Sequence, residues 1–314
     1  LKAQRKSSIN AMGSDIADFN NDGYKDIMVT DMDFEENYSW KTFLLSNPIE
    51  IMRTLQNAGY GYQNRSNSLQ LNNGDGTFSE ISRTAGVSTT DFSWGNCFAD
   101  FDNDGWKDMH ITNGLAKDVT NNDYTTFRNA QTNSSSYTFS GNSVDKPLDK
   151  KNLEALRKAI DDYGSVAIDN YLFHNNGDLT FSNITKQSGL ASPSISNGAA
   201  YADLDNDGDL DLVVNNMNRE VFVWKNEIRK SVKDSGENFI TVKLKGSPDN
   251  TFGIGSRVTL FNKTNKQFLE QSPVRGFSSS VDKRLHFGIG NSTVIDSIKI
   301  QWPDDKVQVV QNVK

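Results

Sequence analysis

Three stretches of the chain repeat one pattern: IADFNNDGYKDIMVT at 16–30, FADFDNDGWKDMHIT at 98–112 and YADLDNDGDLDLVVN at 201–215. Each places a dense acidic run between two apolar, strand-like flanks. A strand cannot carry that charge through a core, so the chain must turn back at the acidic run. Each stretch therefore reads as a β-hairpin, and its recurrence marks a repeated structural unit.

In register, the loops offer oxygen side chains at relative positions 1, 3, 5 and 9, with Gly at position 6. The first loop has Asp18, Asn20, Asp22, Gly23 and Asp26. The second has Asp100, Asp102, Asp104, Gly105 and Asp108, and the third has Asp203, Asp205, Asp207, Gly208 and Asp211. Carboxylates this close repel one another unless a cation lies between them. A hard divalent ion suits an all-oxygen set, and calcium takes about six to eight such ligands. The backbone carbonyls of Tyr24, Trp106 and Asp209 at position 7 are the expected further ligands. Position 12 is Val29, Ile111 or Val214 rather than the Glu of an EF-hand, so the loop joins strands and not helices. Magnesium prefers to keep several waters, and zinc finds no Cys or His within the loops. The expectation is about three Ca2+ sites, mainly structural, with the first loop weakest because of Asn20.

A second repeat accompanies the first. NSLQLNNGDGTFSEISRTAGVS at 67–88 matches NYLFHNNGDLTFSNITKQSGLA at 170–191, with hairpin-turn residues at Asn73–Gly76 and Asn176–Asp178. Asn73 to Asn176 and Asp100 to Asp203 are the same 103 residues apart, so the two patterns travel together. One copy contains four strand candidates: Ser68–Leu71, Thr77–Ile81, Asn96–Phe101 and Trp106–Thr112. The other contains Tyr171–Phe173, Thr180–Ile184, Ala199–Leu204 and Leu210–Val214. Four antiparallel strands in one such unit is the size of a β-propeller blade. On this phasing, residues 10–30 are the last half of a preceding blade and residues 220–226 open a following one.

Insertions separate the units. In 31–66, Ile49, Met52 and Leu55 fall at helical spacing. In 114–168, a polar loop at 129–143 precedes an amphipathic helix over 148–163 that Gly164 ends. After about residue 228 the pattern changes to short alternating strands, an all-β domain that is sandwich-like or a small barrel. The domain reading is propeller blades at 1–228, a linker at 229–238 and a β domain at 239–314.

Composition narrows the function. The net charge is −7 and no basic patch stands out, which argues against a nucleic-acid partner. No apolar run is long enough for a direct membrane span. The single cysteine, Cys97, excludes an intrachain disulfide and reads as a buried, inert thiol. The histidines, His110, His174 and His286, fit no triad or metal motif. GFSSSVD at 276–282 lacks a nucleophile elbow. The paired carboxylates are better explained as metal ligands than as a glycosidase pair, so the chain reads as non-catalytic. The sequence opens at Leu1 with no visible signal peptide, as expected for a piece of a longer product.

The loops and four-strand units resemble FG-GAP/VCBS repeat proteins, calcium-binding β-propellers like the integrin α head. NTFGIGSRVTLF, SPVRGFSSSVDKRLHFGIG and IDSIKIQWPD resemble the ASPIC/UnbV domain of the cartilage-acidic-protein family. The combination is most similar to large secreted or surface-anchored bacterial members. The resemblance implies an all-β fold, a calcium-braced propeller of about seven blades with helical insertions and a small C-terminal sandwich-like domain. This chain would then hold an incomplete ring, with further blades upstream of Leu1. It also implies an extracellular or cell-surface location, on the outer face of a bacterial outer membrane. There the chain would act as an accessory subunit docked on a surface protein or transporter complex of nutrient-uptake machinery. The alternatives are an adhesin or glycan-binding module and, more remotely, a polysaccharide-active enzyme. Tyr38, Trp40, Tyr60, Tyr62, Tyr124 and Phe127 on the insertions are candidate contacts for a protein or glycan, or ordinary packing. Arg275, Gly276, Phe277 and Ser278–Ser280 are the most distinctive residues of the C-terminal domain. Arg275 is a candidate partner for an acid on the propeller, or part of a plain structural bend.

Overall fold

The computed structural model describes residues 6–42, 49–118, 164–217, 219–228, 238–263 and 265–313, with isolated residues at 3, 121–123, 154, 157–158 and 161. After β1 (Lys6–Ser8), the first blade consists of β2 (Ser14–Ala17), β3 (Asp26–Val29), β6 (Ser68–Asn72) and β7 (Phe78–Glu80), hydrogen-bonded in that order. Between β3 and β6 lie β4 (Met32–Asp33), α1 (Asn37–Thr42), α2 (Ile49–Asn57) and β5 (Tyr62–Asn64). The second blade is β8 (Asp91–Ala99), β9 (Asp108–Asn113), β10 (Tyr171–Asn175) and β11 (Phe181–Asn183), with β4 added beyond β8. The third is β12 (Ser196–Ala202), β13 (Asp211–Asn216) and β14 (Phe222–Trp224). The chain is all-β and propeller-like, and helix is a minor part of it. The helical spacing of Ile49, Met52 and Leu55 is realised in α2. Residues 124–153, with the polar loop, most of the second predicted helix, Tyr124 and Phe127, lie outside the described residues. So do the side chains of Tyr38 and Trp40.

The blades are not phased as the sequence repeat is. In each, the acidic hairpin comes first; the hairpin that follows it supplies the outer strands in blades one and two, and β14 is the described outer strand of blade three. Residues 14–29 are thus the first half of blade one, not the last half of an earlier blade. Phe222–Trp224 is the third strand of blade three, not the opening of a fourth. The physical reason lies in the loops. Oδ1 of Asp26, Asp108 and Asp211 accepts the backbone N–H of Asn72, Asn175 and Asn226, at 2.8, 2.9 and 2.9 Å. Each bond fixes the third strand against the second of the same blade.

The inner strands lie side by side, with β8 packed against both β2 and β12. Between blades one and two, Phe19, Met28, Leu69, Phe98, Met109 and Ile111 form a buried core. Between blades two and three, Phe101, Leu172, Leu190, Leu210, Leu212 and Val214 form another. Phe19, Phe101 and Leu204 hold the same loop position. The first two are buried, yet Leu204 is 53% exposed, because no described blade follows the third. Polar rungs join the blades at equal steps. Thr30 Oγ1 donates to Trp94 O and Thr112 Oγ1 to Asn197 O. Asn175 Nδ2 donates to Phe19 O at 2.9 Å and Asn226 Nδ2 to Phe101 O at 2.7 Å. Cys97 is buried, and burial pushes its thiol pKa up.

The C-terminal part has its own core of Val258, Leu260, Phe287, Ile295 and Ile298. β15 (Asn238–Val242) pairs with β20 (Leu285–Gly290). A second sheet has β16 (Arg257–Asn262), β17 (Asn265–Glu270), β21 (Ile295–Gln301) and β22 (Val307–Val313), in the order β17-β16-β21-β22. A short hairpin, β18 (Val274–Arg275) and β19 (Ser279–Ser280), reaches across to the blades. There it meets three glycines at one repeat position, Gly13, Gly95 and Gly198. A methyl group on Gly13 or Gly95 would lie 3.3 or 3.2 Å from Phe277 Cβ, and one on Gly198 would lie 3.2 Å from Phe277 O. Only glycine leaves room there. Arg275 Nη1 bonds Asp15 Oδ1 at 2.9 Å, so Arg275 does meet an acid on the propeller.

Candidate metal centre

Each acidic loop folds around its own carboxylates. The residue at position 4 (Asn21, Asn103 or Asn206) takes a left-handed φ of 58°, 63° or 61°, and the glycine at position 6 one of 97°, 98° or 94°. Asn tolerates this region and Gly adopts it freely, which explains the turn. The glycine N–H donates to Oδ2 of the position-1 aspartate, from Gly23 to Asp18 at 3.0 Å, Gly105 to Asp100 at 2.9 Å and Gly208 to Asp203 at 3.2 Å. The position-7 amide returns to the position-5 carboxylate in each loop.

Two loops gather groups that could hold a metal ion. In loop three, Asp203, Asp205 and Asp211 bring ligand oxygens within 4.8 Å of one another. In loop two, Asp102 and Asp104 are joined at the same spacing by His174. A further observation fits a cation at both. Oδ1 of Asp100 and Oδ1 of Asp203 are buried with no hydrogen-bond partner. A buried carboxylate oxygen left without a partner is costly, and a cation removes the penalty. In loop one no such group forms among the described residues. Asn20 donates to Asp22 Oδ2 at 2.9 Å, and Asp18 Oδ1 accepts the Asp22 amide. Tyr24 and Trp106 also serve packing, their rings lying against Gly74 and Gly177 at the tips of the next hairpins. Asp209 turns its side chain to Asn103 Nδ2 at 3.2 Å.

The position-9 aspartates also carry a structural task. Both oxygens of each accept backbone N–H groups. Oδ2 of Asp26, Asp108 and Asp211 takes the amides of Phe19, Phe101 and Leu204. These carboxylates staple the hairpins, and of the three only Asp211 also joins a convergent group.

His174 is the residue that sequence reasoning missed. Its Nδ1 lies 3.2 Å from Asp102 and 3.3 Å from Asp108. The second loop thus has an imidazole beside it, supplied by a separate strand and not from within the loop. The same strand position carries Leu71 beside loop one and Lys225 beside loop three, each directly before the Asn that bonds the position-9 aspartate. Lys225 Nζ pairs with Asp205, and with Asp207 at 3.4 Å.

The electrostatics are those of cation-free acidic loops. Burial raises Asp18 to about 6 and Asp26 to about 7. Burial and the charge of Asp102 raise Asp104 to about 7, and Asp100 is pushed well up by burial and by Asp108. The hydrogen bond to Asp108 lifts His174 to about 9. Lys107 is buried behind the loops, where desolvation lowers its pKa while Asp100 and Asp18 oppose the shift.

All three loops lie under the C-terminal domain. Arg257 Nη2 donates to Gly23 O at 2.8 Å. Gly288 N donates to Asp100 Oδ2 at 3.1 Å, and His286 Nε2 lies 2.6 Å from Asn103 Oδ1. Arg284 reaches Asp203 O at 3.0 Å and Asn206 Oδ1 at 3.1 Å. Loops also bond to loops, Asn21 Nδ2 to Gly105 O and Asn103 Nδ2 to Gly208 O.

Family models match this architecture at both ends. The FG-GAP-like repeat model matches residues 58–111 and 159–214, and the ASPIC and UnbV model matches residues 246–314. The two repeat matches follow the sequence phasing and so straddle the blades. A search of curated proteins returned no match. Proteins with FG-GAP-like repeats are typically extracellular or at the cell surface, and no helix among the described residues is long and apolar enough to cross a membrane. The chain carries FG-GAP-like repeats in a propeller-like all-β array, followed by a C-terminal ASPIC and UnbV domain.

Proposed function

We propose that this chain is a non-catalytic, extracellular calcium-binding scaffold that serves as a protein-binding accessory subunit at a bacterial outer surface. The observation that carries the calcium part is the pair of buried, partnerless oxygens, Asp100 Oδ1 and Asp203 Oδ1, at the heads of convergent acidic loops. Calcium would be held by Asp203, Asp205 and Asp211 in loop three and by Asp100, Asp102 and Asp104 in loop two. When bound, the ion supplies charge neutralisation and a rigid loop, not chemistry on a substrate. Loop one is the weakest site.

Three features support a binding role over catalysis. The carboxylates are committed to loop geometry and to stapling amides. His286 bonds Asn103, and His174 bonds Asp102 and Asp108. Burial holds His110 neutral, with its pKa near 3. A rigid frame with insertions displayed from it is a common way to build a binding surface. The proposed site of action is the outer face of the outer membrane, docked on a transporter or other surface protein. Tyr60 and Tyr62, 54% and 64% exposed on the first insertion, favour a second reading as an adhesin or glycan binder.

Calcium titration by calorimetry tests the metal reading; absence of binding heat would end it. Affinity capture from native outer membranes, in calcium and then in chelator, tests the partner reading. A stoichiometric partner lost on chelation supports the accessory subunit. Capture of no protein, with binding to polysaccharide, shifts the assignment to the glycan reading.

A further inference from the structure

The C-terminal domain rests on the acidic loops themselves, and the contacts repeat. Each position-6 glycine abuts that domain. A methyl group on Gly23 would lie 2.7 Å from Lys266 Nζ, one on Gly105 2.8 Å from Gln267 Nε2, and one on Gly208 1.9 Å from a carbon of the Phe239 ring. In the middle loop the shared surface is a proposed ligand residue. Asp100 Oδ2 accepts the N–H groups of Gly105 and Gly288, and its Oδ1 has no partner. In the backbone of the same loop, Asn103 O accepts the Gly290 N–H at 2.9 Å. Most of these targets are backbone carbonyls, a buried amide side chain and a glycine face. All of them need the loop in one shape.

We propose that calcium occupancy and the docking of the C-terminal domain are thermodynamically linked, the loaded loops forming the seat on which residues 239–314 rest. This rests on the calcium reading above. The physical argument compares two effects. Without a cation, nothing holds Asp100 Oδ1, and those of Asp100, Asp102, Asp104 and Asp108 that stay ionised repel one another, so the loop loosens where Asn103 and the Asp100 carboxylate meet His286 and Gly288. Against this, the bare loops carry more negative charge and would attract Arg257 and Arg284 more strongly. That attraction is partly exposed and screened by salt, whereas the Phe239 contact and the hydrogen bonds from Gly288 and Gly290 to the buried Asp100 and Asn103 require the loop in one shape and are little screened. Geometry therefore decides the sign. Linkage is reciprocal, so a docked domain must also raise the affinity of the loops for calcium.

The test is amide hydrogen exchange on the whole chain in calcium and in chelator, beside calcium calorimetry. The expected result is exchange at Gly288 and Gly290 that is at least about tenfold faster in chelator, while Val258 and Leu260 within the domain core keep their protection. One variant, His286→Ala, removes the contact with Asn103 without touching a proposed ligand. It should weaken calcium binding at loop two about three- to tenfold. Calcium binding with equal exchange at Gly288 and Gly290 in both buffers would overturn the linkage and leave the calcium reading standing. Unchanged calcium affinity in His286→Ala would also overturn the linkage. No calcium heat at all would overturn both readings.

Discussion

Arg275 and Asp15, 260 positions apart in the chain, form a buried ion pair at 2.9 Å, their side chains 10% and 2% exposed. Asp15 also accepts the Phe98 amide at 2.8 Å on its other oxygen. One carboxylate thus ties blade one, blade two and the C-terminal hairpin together. Removing one partner of a buried pair strands the other, which costs about 3–5 kcal/mol. Arg275→Ala should destabilise by that order in chemical denaturation, and Arg275→Ala with Asp15→Asn by clearly less than the sum of the two single variants. Strict additivity would show that the pair does not couple.

Gly288 offers a packing test free of backbone strain. A methyl group there would lie 2.2 Å from Asp100 Oδ2 and 2.5 Å from the Asn103 backbone. Overpacking a close contact of this kind costs about 1–3 kcal/mol. Gly288→Ala should lower the melting temperature, and its effect should shrink in chelator if the seat is already loose.

Lys225 stands where a dication would compete with it. Its ammonium pairs with Asp205 and Asp207, and both are partly solvated. Exposed pairs contribute about 0.2–1 kcal/mol, so Lys225→Met should tighten calcium at loop three by about two- to fivefold in calorimetry. Weaker binding in the variant would show that Lys225 organises the loop instead.

The pH dependence of the chelated protein has a defined sign. Asp18 and Asp26 hold their protons in the fold up to about 6 and 7, while the unfolded chain loses them near 3.8. The folded state therefore binds more protons across that window, and stability falls as pH rises through it. His174, raised from 6.5 to about 9 by Asp108, adds stability that is complete below 6.5 and is lost as pH rises through 9. Both act in one direction. Melting temperature in chelator should drop between pH 5 and pH 8, and excess calcium should flatten the drop. A chelated protein that gains stability over this range would contradict the burial of these carboxylates without a cation.

Much of this was legible in the chain. Hairpins, turns and acidic loops are local, and their spacing announces them. The phase of the blades is not local. A repeat can be cut at any point, and only the bonds from Asp26, Asp108 and Asp211 to Asn72, Asn175 and Asn226 show which hairpins share a sheet. His174 was missed because its loop is far away in sequence. The available signal was its place directly before Asn175, the counterpart of Lys225 before Asn226. Gly13, Gly95 and Gly198 stand at equal distances before their loops, but nothing near them explains why they must be small. Their reasons are the backbone of the next blade, Trp94 O beside Gly13 and Asn197 O beside Gly95, and the hairpin residues Phe277 and Ser279, which arrive much later in the chain.

That late arrival has a temporal consequence. During synthesis the blades emerge first, with Asp15 lacking its Arg275 counterion and the three glycines not yet covered by Phe277 and Ser279. Both are supplied only when the hairpin that ends at Ser280 leaves the ribosome. A chain halted at the linker therefore lacks the partner of a carboxylate it has already buried between two blades. The hairpin at 274–280 decides when the strands around Asp15 are complete.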